Sequence, residues 1–186
     1  NGKKWKLTMR KPNFFILGAG RCGTTTLYHL LKQHNDIFMP EVKEPSFFCS
    51  YFQVVKNPIN YFNLFDKCKN ERIVGEASHV YLSNLETPEI LNTLFPDAKF
   101  VLILRNPVNR AYSLYNWARR RGIENVGSFG KALKIEDKRY NNVNFKNKCR
   151  HYFWNYMYVR SSYYDIQLKR YLKFYNKDQF CFINLF

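Results

Sequence analysis

Acidic residues are scarce in this chain. Against 30 Lys and Arg stand 14 Asp and Glu, giving a formal net charge of +16. A chain so basic steers anions towards itself and raises their encounter rate. The candidate partners are a nucleotide, a polyanionic glycan, nucleic acid or a membrane surface, and the plain alternative is a solvated basic face. Long hydrophobic runs are also missing. Nothing approaches the roughly 18 apolar residues of a membrane span, so no transmembrane segment is expected. No signal-peptide pattern opens the chain, because Lys3, Lys4, Lys6, Arg10 and Lys11 lead straight into the first apolar run. The five cysteines (Cys22, Cys49, Cys68, Cys149, Cys181) never fall at C-x-x-C spacing, so a zinc site is not expected, and their odd number leaves at least one thiol free. Internal repeats and linker-like stretches are absent too. With 186 residues and 46% apolar content, a single domain over 1–186 with a sizeable core is expected.

What is present alternates strand and helix. Strand patterns cover Asn13–Leu17, Ile73–Ala77, Lys99–Leu104 and Gln179–Asn184. Helical patterns cover Thr24–Gln33, Pro58–Phe65, Thr87–Phe95, Val108–Arg121, Ser128–Glu136 and Ser161–Tyr175. The segment with Pro40 and Pro45 reads as irregular, and polar, Asn-rich Lys138–Lys148 reads as a loop. Buried apolar strands alternating with helices imply an α/β fold with a parallel sheet covered on both faces. Ligands of such sheets bind beyond the carboxyl ends of the strands. The last strand has no closing helix after it, so a C-terminal region is expected to be missing.

The first strand runs into Gly18-Ala-Gly20-Arg21-Cys22-Gly23-Thr24-Thr25-Thr26. Glycines here let successive N–H groups converge on one concavity, and the helix that follows aims its positive end at the same spot. Arg21 adds a full charge with a planar donor fork. The loop is P-loop-like, since Gly18 and Gly23 have Walker A spacing, yet Thr24 stands where the lysine that reaches a triphosphate belongs. That absence, with no clear Walker B acid, counts against a divergent nucleotide or metabolite kinase. A glycine-rich turn without a ligand is the plain alternative. Cys22 sits near Arg21 and a helix start, where a thiol pKa can fall, although a space-filling role suits it better than a catalytic one.

Two further stretches carry chemistry. In Lys99-Phe-Val-Leu-Ile-Leu-Arg105-Asn-Pro-Val-Asn-Arg110-Ala-Tyr-Ser113, a strand delivers Arg105 to the sheet edge and Ser113 follows two turns into a helix. Together they can grip one phosphate; singly, each reads as a surface residue. In Lys43-Glu44-Pro45-Ser46-Phe47-Phe48, an acid lies between a lysine and two aromatics. Desolvation there raises a carboxyl pKa and Lys43 opposes the rise, so Glu44 is a candidate general base.

These three stretches together resemble the sulfotransferases that use 3′-phosphoadenosine 5′-phosphosulfate (PAPS), and most of all the carbohydrate, heparan sulfate-like type and its microbial relatives. Phe15–Leu27 resembles the 5′-phosphosulfate loop, Phe100–Tyr115 the 3′-phosphate motif, and Lys43–Phe48 the segment of the catalytic glutamate. Gly75-Glu-Ala-Ser78-His79-Val-Tyr81-Leu82 and Tyr158–Asn184 extend the similarity over nearly the whole chain. The resemblance implies a catalytic pair, Glu44 as base and Arg21 beside the leaving phosphate oxygen. It implies that Arg21, Cys22, Gly23, Thr24, Thr25 and Thr26 hold the 5′-phosphate and that Arg105 and Ser113 hold the 3′-phosphate. It also implies PAPS as co-substrate, adenosine 3′,5′-bisphosphate as product, and no required metal. A carbohydrate or other hydroxyl acceptor, anionic ones included, is implied near Lys43, Ser78, His79 and Tyr81. His79 otherwise reads as a loop histidine, and Arg119 and Arg120 as surface residues. Nucleic acid is not expected as a partner, although a basic nucleic-acid-binding module is the reading from charge alone. Arg21 stands where many animal members carry lysine, and Ala77 where several heparan-modifying members do.

Overall fold

The structure is a computed structural model that describes residues 10–185; Lys3, Lys4 and Lys6 of the basic lead lie outside them. Its centre is a five-stranded sheet. The strands are β1 (Phe14–Gly18), β2 (Ile37–Phe38), β3 (Ile73–Ala77), β4 (Lys99–Arg105) and β5 (Phe180–Leu185). They lie in the order β2-β3-β1-β4-β5, and every pairing is parallel. Parallel neighbours need crossovers, which the helices supply. These are α1 (Thr24–Leu31), α2 (Pro58–Asn63), α3 (Val80–Ser83), α4 (Thr87–Leu94), α5 (Pro107–Arg120), α6 (Phe129–Lys134), α7 (Glu136–Tyr140), α8 (Val143–Lys148) and α9 (Tyr164–Tyr171). None of the helices among the described residues is long and apolar enough to cross a membrane.

The apolar runs of β1 and β4 are buried along nearly their whole length, as a sheet covered on both faces requires. Aromatic rings fill much of the core. Phe15 packs between Phe95 and Phe100, and Phe100 meets Tyr175 edge-on at 4.6 Å and stacks on Phe180 at 5.0 Å. Each such buried side chain contributes about 1.5–3 kcal/mol over its exposed state. The edge strand β5 is different, because Phe182, Ile183 and Leu185 remain exposed.

The α/β class and four strand positions match the sequence reading; the departures are local. Strand β2 lies just before the proline-marked segment, and two residues are too few to show a period. The helix expected over Ser128–Glu136 breaks at Ile135, which ends α6 and begins α7. The loop expected over Lys138–Lys148 holds the end of α7 and all of α8. Its apolar anchor is Phe145, packed on Tyr156 at 5.2 Å and beneath Arg139. The long helix expected over Ser161–Tyr175 is α-helical only from Tyr164 to Tyr171. A 3-10 turn at Arg160–Ser162 precedes it, and the Ser161 and Ser162 hydroxyls there serve the buried Arg110.

Three adjacent strands, β3, β1 and β4, end on the same edge of the sheet. Their carboxyl ends deliver His79, the glycine loop and Arg105 to one neighbourhood.

Candidate active site

The loop after β1 is held by its own backbone. Ala19 N–H donates to the Ile103 carbonyl at 2.9 Å and Cys22 N–H to the Ala19 carbonyl at 3.2 Å. Gly23, at φ +80°, then turns the chain into α1. The N–H groups of Gly23, Thr24, Thr25 and Thr26 find no acceptor among the described residues, as the first turn of a helix dictates. They are the N–H groups to which the sequence reading assigned a phosphate; the Cys22 N–H, assigned with them, donates instead inside the loop. The Cys22 thiol is fully buried and burial raises its pKa, in keeping with the space-filling role preferred from the sequence.

Arg21 adopts φ +70°, a left-handed conformation that costs a non-glycine residue about 1–2 kcal/mol. Its Nε donates to Ser113 Oγ at 3.4 Å, so the loop meets helix α5 directly. Burial lowers the Arg21 pKa, and the neighbouring charges of Arg120, Arg105 and Arg121 lower it further. No carboxylate among the described residues pairs with any of these four arginines. Mutually repelling cations without a counter-ion favour an anion between them. Arg105 and Ser113 line one cleft of about 450 Å³ with Asn116, Arg119 and Arg120. Arg119 and Arg120 are exposed, as expected, but on the rim of this cleft.

The second half of the site is the segment Lys43–Phe48, docked on the end of β3 by Glu44 N–H donating to the Ala77 carbonyl at 2.9 Å. Glu44 and Ser46 both take positive φ, at 61° and 52°. Glu44 Oε2 accepts the His79 N–H at 2.8 Å and lies 2.8 Å from His79 Nδ1, while Lys43 Nζ donates to Oε1. Burial pushes the Glu44 carboxyl upward, but His79 and then Lys43 outweigh it and hold its pKa at about 2. The sequence pointed to burial and Lys43 as the influences on this acid. The stronger partner is His79, which sits 35 positions away and is no free loop histidine.

Behind this segment lies Glu76, which the sequence reading included in the Gly75–Leu82 stretch without giving it a role. Its side chain is fully buried and has no cation partner among the described residues. Oε1 accepts the Ser78 hydroxyl at 2.6 Å; Oε2 accepts Tyr61 at 2.8 Å and Tyr81 at 3.1 Å. Burial raises the carboxyl to about 7, with the Glu44 charge adding to the rise and the three hydroxyls restraining it. Two of these hydroxyls also reach the Lys43–Phe48 segment, for Ser46 N–H donates to Ser78 Oγ at 3.0 Å and Phe48 N–H to Tyr81 Oη at 3.3 Å. Ser78 and Tyr81, expected beside an acceptor, are therefore fully buried supports and do not face one. An ionisable residue inside the apolar strand run Ile73–Ala77 was the available signal.

Comparison with known proteins follows the same lines. The family model described as "Sulfotransferase domain" matches residues 11–184. "Membrane-associated sulfotransferase kil1" of Dictyostelium discoideum is 33% identical over 108 residues, 58% of this chain and 23% of that protein. "Carbohydrate sulfotransferase 15" of Mus musculus is 28% identical over 159 residues, 61% of this chain and 28% of that protein. The chain thus spans about a quarter of the length of these relatives. The crystal structure of a sulfotransferase from Alicyclobacillus acidocaldarius superposes with a TM-score of 0.83 at 35% identity, over 94% of this chain and 73% of that one.

Proposed function

The chain belongs to the sulfotransferase family, and on that premise we propose that it moves a sulfuryl group from PAPS to a hydroxyl or amine of a carbohydrate acceptor. The family implies a nucleotide sulfate donor. The observation that carries the finer reading is the 3.4 Å contact between Arg21 of the loop and Ser113 of α5, beside Arg105. It makes one continuous anion site from two cradles, which suits a nucleotide phosphorylated at both its 5′ and 3′ positions. An ordinary 5′-nucleotide leaves the Arg105–Ser113 half without a counter-ion. A kinase is disfavoured because no lysine follows Gly23.

PAPS supplies a sulfuryl group carried on a phosphate. The free N–H groups of Gly23–Thr26, with the Thr24 and Thr25 hydroxyls, hold the 5′-phosphate at the helix start. Arg21 stabilises charge on the leaving phosphate oxygen, and Arg105 with Ser113 holds the 3′-phosphate. Glu44 takes the acceptor proton. Held at a pKa of about 2, it is ionised throughout the physiological range and always able to accept. Its weak basicity suffices because the acceptor oxygen sheds its proton as the new S–O bond forms and its acidity climbs. The His79 N–H and ring fix the carboxylate's direction.

Calorimetry at fixed salt tests the nucleotide assignment. Adenosine 3′,5′-bisphosphate is expected to bind more tightly than 5′-AMP, ATP or an oligonucleotide. Arg105→Ala and Ser113→Ala should each erode that preference, the arginine by about 1.5–3 kcal/mol. Equal affinity for 5′-AMP would sink the 3′-phosphate site. For the chemistry, Glu44→Gln should keep bisphosphate affinity and lose about 10²–10⁴-fold in sulfate transfer from labelled PAPS. Unchanged turnover removes Glu44 as the base.

A further inference from the structure

A second cleft, of about 680 Å³, lies apart from the arginine-lined one, and nothing above uses it. Its size is that of a small-molecule site. Two of its rings are open to solvent: Tyr51 is 68% exposed and Tyr140 41%. Trp154 and His151 form part of the wall, and Lys146 and Asn147 come from α8. Lys146 Nζ lies 5.5 Å from the centre of the Tyr51 ring. The cleft also contains Glu86, one of whose carboxylate oxygens accepts the Ser50 N–H while the other has no partner among the described residues.

The position of this cleft ties it to the chemistry. Tyr152 and Trp154 line both it and the small cavity that contains Gly20 and His79. His79 in turn is bonded to Glu44. The ring of His151 packs on Phe52 at 4.8 Å and meets Trp117 edge-on at 5.5 Å, joining the cleft wall to the segment after Phe48 and to α5. Tyr152 and Trp154 are thus a wall common to this cleft and to the cavity that holds His79.

We propose that this aromatic cleft binds the acceptor as an uncharged pyranose unit, stacked by its C–H face on the exposed rings. Resting on the sulfotransferase reading above, the inference says which sugar that site takes. A pyranose ring has an apolar face suited to Tyr51 and Tyr140, and hydroxyl edges suited to Lys146, Asn147 and the free oxygen of Glu86. One ammonium and one carboxylate line the cleft, so its charge gives no advantage to a polyanionic chain, although the protein as a whole is strongly basic. The arginine-lined cleft, by contrast, carries Arg105, Arg119 and Arg120 with no acid in its lining.

Saturation-transfer NMR on the 186-residue protein with adenosine 3′,5′-bisphosphate bound tests this, using an uncharged N-acetylglucosamine trisaccharide, a uronate-containing trisaccharide and p-nitrophenol as probes. Sulfate transfer from PAPS to the same three is measured alongside. The uncharged sugar is expected to receive saturation on its ring C–H protons and to have the lowest acceptor KM. Tyr51→Ala and Lys146→Ala, both at exposed side chains, should each weaken it roughly tenfold and leave bisphosphate affinity unchanged. Preference for the uronate sugar or the phenol, no contact with any sugar, or an acceptor KM unmoved in both variants overturns the proposal. Contact that responds to both variants, without transfer from PAPS, supports the cleft and defeats the reaction. Transfer with an unmoved KM does the reverse.

Discussion

The residue that organises the Lys43–Phe48 side of the proposed site is Glu76, linked to that segment through Ser78 and Tyr81. Its carboxyl, raised to about 7, is favoured protonated in the fold and ionises near the ordinary glutamate value of about 4.3 when unfolded. Between those values the unfolded chain binds fewer protons, so the stability owed to Glu76 falls as pH rises from about 4.5 to about 7 and then levels. The change is on the order of 3 kcal/mol. Urea unfolding of wild type and Glu76→Gln at pH 4.5, 6 and 7.5 checks this. The wild type should lose stability relative to the variant across the series, and a constant difference refutes the buried-acid account. Glu44 behaves oppositely, since its depressed pKa contributes stability above about pH 4.5 that is lost as pH falls towards 2. Glu44 was singled out in the sequence as an acid between a lysine and two phenylalanines. Its pairing with His79 was not, because no local pattern announces a contact 35 residues away.

Helix α5 is the element that brings Ser113 to the glycine loop. Asn106 caps it, its side chain accepting the N–H groups of Val108 at 3.0 Å and Asn109 at 3.2 Å, with Pro107 preset in the first turn. Further along, buried Arg110 donates to Ser161, Ser162 and the Tyr158 carbonyl, which fixes the helix against the turns before α9. Ser113 thereby stands at a set distance from Arg21. Asn106→Ala should cost about 1 kcal/mol of stability by removing the cap. Bisphosphate affinity should fall as well, while 5′-AMP affinity changes less, since Ser113 stands on α5 and the N–H groups of residues 23–26 stand at the start of α1. Thermal melts and calorimetry on the same sample read both effects, and equal losses for the two nucleotides argue against that division of labour. The cap and proline were readable as Asn106-Pro107. The α8 region was not, because its polar, Asn-rich run hides the single anchor, Phe145, and Asn142 works there as a cap where it reads as a loop residue.

At the scale of the whole molecule, the +16 charge and the two clefts make different demands. Parallel strands that alternate with helices, with three of them ending on one edge, were legible as a ligand-binding sheet. The proposed division into a cationic nucleotide side and an aromatic acceptor side was not, since Tyr51, Tyr140 and Trp154 come from segments with no shared motif. The division predicts a separation in kinetics. Attraction between a basic protein and a dianionic phosphate is long-ranged and is screened once the Debye length shrinks from about 30 Å at 0.01 M salt to about 3 Å at 1 M. Stopped-flow association of adenosine 3′,5′-bisphosphate should therefore slow roughly tenfold or more over that range. Its dissociation should change less, because contacts at Arg21, Arg105 and Ser113 are short-ranged. Association of an uncharged sugar with the bisphosphate-loaded protein should stay nearly flat over the same salts. If both ligands slow together, the charge acts on the fold as a whole, and the nucleotide side has no claim to it as a steering field.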